Sequence, residues 1–362
     1  MADASMSLPV IDLAVWLTDP TSAASMAECR KAAQALETYS AFALRDPRVR
    51  EEDNARFLDM MEDYFAQPTA AKQRDARPEY GYQVGVTPEL TEVPRCGRDA
   101  ACQQHVAAYP PEHRPAAFDA PDPKWRFFWR IGPTPPTTQF AQLNADAVVP
   151  AAFPSWRAVM DGWGQSMTDA VAAAAQMLAV GWGLPRDAIL ERTRYGPHLL
   201  APTGADLTVY GAEGTVLAGF HTDLNLLTIH GKSRFPGLHV WTRDGRKLPA
   251  RVPDGCLLVQ AGKQIEYMTA GEVHAGFHEV VVGPATREAM ARQQARGRPL
   301  WRVSSTLFFH TASDQLLEPL GPFKTRYEAR RNQVPVTFPP LLAGHQVAAE
   351  LGLINLTTTT TS

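Results

Sequence analysis

A mainly β fold with flanking helices is predicted by three features of this chain. Six short runs rich in β-branched and aromatic residues crowd its second half: VLAGFHTDL, LLTIH, GLHVWTRDG, CLLVQAG, EVHAGFHEVVV and WRVSSTLFFH. Turns separate them with few helices between, the texture of an antiparallel sandwich or barrel. Ahead of them, residues 153–182 give the strongest helical signal, with Trp163, Met167, Val171, Ala174 and Leu178 on one stripe before Gly183 and Pro185 stop it. With 362 residues, 45% of them hydrophobic, the chain can build one large core or two joined units.

In chain order, residues 8–13 read as a short strand and 22–36 as a helix. A second helix covers 51–65, with Phe57, Met60, Met61 and Tyr64 on one face, and ends at Gln67-Pro68. Residues 69–150 are Pro-rich and read as a mostly irregular wrapping loop or lid anchored by aromatics in YGYQVG and KWRFFWRIGPTPP. After the scaffold helix and the β-rich runs, ATREAMARQQARG reads as a short polar helix inserted before the last strand. Residues 324–332 and 344–351 read as two further helices, and LTTTTTS as a tail disordered by composition. The division expected is 1–150, a helical and irregular region packing on the core; 151–320, scaffold helix and β core; and 321–362, helices and tail.

A net charge of -3 with scattered basic residues leaves no footprint for nucleic acid and points to a small-molecule partner. Pro9, Asp12 and Asp19 interrupt any signal-like apolar core, and no run reaches a membrane span, so a cytoplasmic protein with no membrane contact is expected. Cys29, Cys96, Cys102 and Cys256 form no CxxC pair and are expected as reduced thiols, although Cys96 and Cys102 can meet across a loop.

The chemistry gathers at His221-Thr222-Asp223, His278 and Arg302-Val303-Ser304. Two imidazoles and a carboxylate make a three-donor face that suits Fe(II) and leaves positions open for a co-substrate and O2. On a strand, His221 and Asp223 at i and i+2 share a face, and a neighbouring strand brings the third donor. His274 competes with His278, which is preferred because it opens the VVV run. His230, His239 and His310 are expected as satisfied core or surface residues. Arg302 and Ser304 also share a face and can grip a carboxylate, and an Arg in so apolar a run needs a partner.

On these residues the chain resembles the isopenicillin N synthase-like 2-oxoglutarate and Fe(II)-dependent dioxygenases. LPVIDL looks like their opening strand, EDYFAQP like the end of their second N-terminal helix, HTDLNLLT like the iron-binding strand and turn, and RVSS like the co-substrate clamp. The resemblance implies a double-stranded β-helix (jelly roll, cupin-like) with an N-terminal helical region. It implies Fe(II) on His221, Asp223 and His278, with 2-oxoglutarate held by Arg302 and Ser304 and contacted by Tyr195. O2 then drives hydroxylation or desaturation of a small organic substrate, with release of succinate and CO2. Asn225, Phe308 and Trp129 are candidate substrate contacts, with Trp125 and Phe128 beside Trp129 as an aromatic wall. The chain departs from the family at Thr193, where an Asn is usual, at Lys263 in place of Asp, and at Glu279 in place of Arg. Two other readings are an iron oxidase of the isopenicillin N synthase type that needs no 2-oxoglutarate, and a non-catalytic small-molecule binding protein.

Overall fold

Caps and apolar spacing set the first elements. In a computed structural model, which describes residues 7–116, 120–330, 336–354 and 356, Val10–Asp12 forms β1, and Asp12 caps helix α1 (Leu13–Thr18) by accepting from the Ala14 amide. That cap is why the strand is shorter than residues 8–13. Ser22 caps α2 (Ala23–Tyr39), and Ser40, left-handed at φ 54°, turns the chain into β2 (Ala41–Arg45). Helix α3 (Glu51–Phe65) opens with three acidic residues, favourable at the positive end of a helix dipole, and fully buries Phe57, Met61, Tyr64 and Phe65.

Residues 69–150 are more regular than their proline content suggests. They hold α4 (Thr69–Gln73), β3 (Gly85–Thr87), α5 (Ala100–Ala107) and a seven-residue strand, β4 (Trp125–Ile131). The expected aromatic loop is thus a strand inside the sheet, flanked by β5 (His198–Leu200) and β6 (Thr203–Asp206). KWRFFWRI alternates: Trp125, Phe127, Trp129 and Ile131 lie on the face toward the helices, while Lys124, Arg126 and Phe128 line a cavity on the other. Cys102 of α5 and Cys96 are joined as a disulfide, correcting the expectation of free thiols; their Cα atoms lie 5.1 Å apart across a tight loop, within bridging range.

Helix α6 (Trp156–Gly181) packs against α2 and α3 and covers the sheet. Beyond it come α7 (Leu207–Tyr210), β7 (Val216–His221), β8 (Leu227–Gly231), β9 (Leu238–Trp241), β10 (Lys247–Pro249), β11 (Cys256–Ala261), α8 (Lys263–Met268) and β12 (His278–Val281). The inserted helix is α9 (Pro284–Ala295). WRVSSTLFFH breaks at Ser304 into β13 (Trp301–Val303) and β14 (Ser305–Phe309), because the Ser304 amide donates to Thr203 and the two halves take different neighbours. The short β15 (Leu316–Leu317), α10 (Gly321–Arg330), β16 (Leu341–Leu342) and α11 (Ala343–Leu353) complete the described chain. The last two residues of the helix expected over 324–332, and the tail after Leu356, lie outside the described residues.

The major sheet runs β1-β2-β11-β8-β14-β5-β4-β6-β13, with β3 on β4; the minor sheet runs β10-β9-β12-β7. Two sheets of strands, antiparallel except for the pair β1 and β2, enclose a cavity with helices outside and make a jelly roll. The first 150 residues also contribute strands β1 to β4 to the major sheet, β4 lying inside it. No helix of the described residues is long and apolar enough to cross a membrane.

Candidate active site

His221 ends β7 and His278 begins β12, and the two stand directly opposite in the antiparallel register. Asp223 lies two residues beyond the end of β7, so strand parity does not place it; the turn carries it in. Its Oδ2 accepts from the Thr228 hydroxyl at 2.6 Å, and its Oδ1 stands 3.8 Å from Nε2 of each histidine. One donor atom from each of the three residues falls within 4.8 Å of the others. His274 is exposed in the stretch before β12 and does not join them.

The imidazoles are set in one tautomer. His221 Nδ1 contacts the Gly219 carbonyl at 2.6 Å and His278 Nδ1 the Gly276 carbonyl at 3.1 Å. A carbonyl only accepts, so each Nδ1 carries the proton and each Nε2 presents a lone pair. Burial, then the neighbouring His278, lowers the His221 pKa to about 3, keeping the ring neutral. Burial pushes Asp223 upward, but the two histidines and the Thr228 hydroxyl outweigh it and hold the carboxyl below its usual range. Gly219 has no room for a side chain, since a Cβ there would overlap the Pro94 ring.

A cavity of about 640 Å³ opens on this face, large enough for a drug-sized molecule. Arg302 lines it, 6% exposed, with Nε lacking a hydrogen-bond partner; burial alone lowers its pKa to about 10, so it is charged at neutral pH. Ser304 lines it as well, its Oγ accepting from the amide and hydroxyl of Thr203, both at 2.9 Å, which leaves its own proton free to donate. The structure therefore gathers His221, Asp223, His278, Arg302 and Ser304 around one cavity.

Of the other expected site residues, Tyr195, Trp129 and Trp125 fall elsewhere, while Asn225 and Phe308 reach the cavity. Tyr195, left-handed at φ 64°, does not line the cavity; its hydroxyl lies 3.4 Å from Arg194. Trp129 is fully buried on the helix-facing side of β4 and donates to Asp161 at 2.8 Å, and Trp125 shares that side. Asn225 reaches the cavity wall, but its amide donates to the Leu227 carbonyl at 2.7 Å and touches Thr228, bracing the turn that carries Asp223. Phe308 does line the cavity, edge-on to Phe128 with centroids 6.1 Å apart.

The departures have local causes. Thr193 donates to the Leu190 carbonyl at 2.7 Å away from the cavity, Lys263 contacts Glu266 at 3.3 Å, and buried Glu279 pairs with Lys247 and accepts from the Ala116 amide. His230 uses both nitrogens, on Thr306 and Gln260, and His239 contacts the Gly237 carbonyl. His310 corrects the expectation of a satisfied residue: it lines the cavity and its buried Nδ1 has no hydrogen-bond partner.

Sequence reasoning missed a buried ionic cluster in the same cavity. Glu92, Asp122, Lys124 and Arg126 are each no more than 9% exposed and interlock: Lys124 pairs with Asp122 and lies 3.3 Å from Glu92, and Arg126 Nη2 lies 2.9 Å from Glu92. Asp122 also accepts from the Gly219 amide at 2.9 Å, tying the cluster to the residue whose carbonyl orients His221. The alternation in KWRFF was the available signal for Lys124 and Arg126; Glu92 and Asp122 follow no spacing rule.

This jelly roll, with a three-donor site beside a buried, unpaired arginine, defines the class of non-haem iron oxygenases. The chain belongs to the 2OG-Fe(II) oxygenase superfamily, which residues 191–311 match, while residues 8–150 match the N-terminal region described for the non-haem dioxygenase in morphine synthesis. No curated protein sequence matches it. In fold it is similar to a Caulobacter crescentus protein assigned to the 2OG-Fe(II) oxygenase family, with 21% identity over 96% of this chain and 99% of that one and a TM-score of 0.70. A full-length Neurospora crassa protein solved with α-ketoglutarate shares 15% identity over 97% and 98%, with a TM-score of 0.72. The dioxygenase for auxin oxidation 1 of Arabidopsis thaliana, solved with 2-oxoglutarate, shares 18% over 87% and 97%, with a TM-score of 0.58. The protein is thus an Fe(II)- and 2-oxoglutarate-dependent oxygenase that uses O2.

Proposed function

We propose that His221, Asp223 and His278 hold the ferrous ion, and that Arg302 and Ser304 hold the far carboxylate of 2-oxoglutarate while a small organic substrate is hydroxylated or desaturated beside Phe128 and Phe308. The observation that carries this reading is the pair of bare Nε2 atoms facing one Asp223 oxygen, a donor set that suits Fe(II) and leaves positions open. When bound, the ferrous centre couples reduction of O2 to the loss of CO2 from 2-oxoglutarate, leaving succinate.

The chain's own groups prepare that chemistry. The carbonyls of Gly219 and Gly276 fix the imidazole rings, and the Thr228 hydroxyl turns one Asp223 oxygen away so that the other faces the histidines. Arg302 brings a desolvated positive charge that a dicarboxylate neutralises, and Ser304 adds a hydroxyl donor. Phe128 and Phe308 supply an apolar wall that excludes water. A small organic substrate agrees with the cavity volume and with the neighbouring structures, one of them the Neurospora protein bound to thymine, another named for auxin oxidation. The test is succinate formation from 2-oxoglutarate with ferrous iron and O2. Wild type is expected to form it and His221→Ala to fall by about a thousandfold or more; equal rates in the two would refute the ligand assignment.

A further inference from the structure

The cavity holds a second buried guanidinium, and its chemistry bears on what the enzyme oxidises. Arg126 is 7% exposed and lies on β4; Thr203 of β6 is its register partner, and β6 separates β4 from β13, which carries Arg302. Arg302 pairs with Ala205, two residues along β6 from Thr203, so two strand spacings and that offset set the arginines roughly 12 Å apart. Arg126 is therefore near the proposed co-substrate clamp without being part of it.

The donors and acceptors of the cluster do not balance. Both Asp122 oxygens are used, one by the Gly219 amide and one by Lys124, and Glu92 turns one oxygen to Lys124 and the other to Arg126. On Arg126, Nε has no partner, and Nη2 lies near Glu92 without forming a hydrogen bond. Its guanidinium covers the Phe128 ring at 4.0 Å, and Phe128 meets Phe308 edge-on. The unmet capacity is for an acceptor oxygen beside a flat apolar surface.

Charge decides which acceptor. Lys124 and Arg126 are cancelled by Glu92 and Asp122. In the loaded site the ferrous ion and Arg302 are cancelled by Asp223 and the two carboxylates of 2-oxoglutarate. The other charges on the wall, Arg95, Arg243 and Lys263 against Asp99, Glu266 and Glu350, also balance, so an anionic substrate would be buried with no spare counter-charge, which is costly, whereas a neutral one would not. We infer that the substrate is an uncharged molecule with a flat apolar body whose carbonyl oxygen docks on Arg126 while that body lies against Phe128 and Phe308. This rests on the assignment of Arg302 to 2-oxoglutarate.

The test is anaerobic calorimetric titration of the enzyme loaded with Fe(II) and 2-oxoglutarate, using benzylacetone, its carboxylate counterpart hydrocinnamate, and butylbenzene, which lacks the oxygen. Benzylacetone is expected to bind about tenfold more tightly than either of the others. Arg126→Gln should abolish its advantage over butylbenzene. Glu92→Gln, which leaves the cluster with one positive charge in excess, should instead improve hydrocinnamate by about tenfold. Loss of a purely structural ion pair would not produce that gain, and thermal melting shows whether each variant is folded. Absence of benzylacetone binding, equal affinity for all three probes, or no gain for hydrocinnamate in Glu92→Gln overturns the inference. So does a fall in 2-oxoglutarate affinity in Arg126→Gln as large as that in Arg302→Gln. If 2-oxoglutarate binding is indifferent to Arg302→Gln, the co-substrate assignment fails instead.

Discussion

The two faces of β4 differ in chemistry although their residues alternate along one strand. Trp125, Phe127, Trp129 and Ile131 face α3 and α6 in a dry aromatic layer, where Phe127 meets Tyr64 and Trp156 edge-on. Lys124, Arg126 and Phe128 face the cavity among carboxylates and unpaired donors. β14 repeats the division, with Leu307 and Phe309 in the core and Thr306 and Phe308 on the cavity wall. The outer face supplies stability and the inner face holds polar groups that water would otherwise solvate. The two should therefore respond separately to substitution, stability to one and binding to the other.

Trp156→Ala removes a fully buried ring from the outer layer and should lower unfolding free energy by about 3–5 kcal/mol in denaturant titration. 2-Oxoglutarate affinity of the folded fraction should stay the same; a parallel loss would join the faces. Arg302→Gln on the inner face should raise the KM for 2-oxoglutarate by about 10- to 100-fold, with little change in melting temperature. Thr228→Val removes the hydroxyl that orients Asp223 and should weaken ferrous binding by about tenfold, and an unchanged affinity would show that the turn alone places the carboxylate.

A pH-dependent effect comes from Lys72, whose ammonium donates to the Phe65 carbonyl and sits over Trp125 and Trp301 at 4.1 and 4.9 Å. Burial lowers its pKa from 10.5 to about 8. Between those values the unfolded chain holds the proton and the folded chain does not, so this group makes stability rise with pH across that window. Lys72→Met should flatten that slope in melts taken at successive pH values, with ferrous affinity unchanged.

Sequence made the longer helices legible, as the α3 expectation coincides with Glu51–Phe65 and Ser22 marks the start of α2, but not short ones such as α1, α5 and α8. It failed at β4, because prolines at 121, 123 and 133 read as loop while the alternation in KWRFFWRI passed unused. Parity would also have turned Trp129 away from the cavity. The resemblance implies a co-substrate contact for Tyr195, but the residue is left-handed and off the cavity, a placement no spacing reveals. The ionic cluster was illegible because Glu92 and Asp122 meet Lys124 and Arg126 only through tertiary structure. Strand parity holds for His221 alone, since β7 ends there and the turn brings Asp223 in.

Anaerobic equilibrium dialysis against ferrous ion is the most direct measurement of the inner face. Wild type is predicted to bind one Fe(II) per chain, and His221→Ala and Asp223→Ala, both folded by thermal melting, to lose that binding. Retention of one tightly bound ion in either variant would contradict the account.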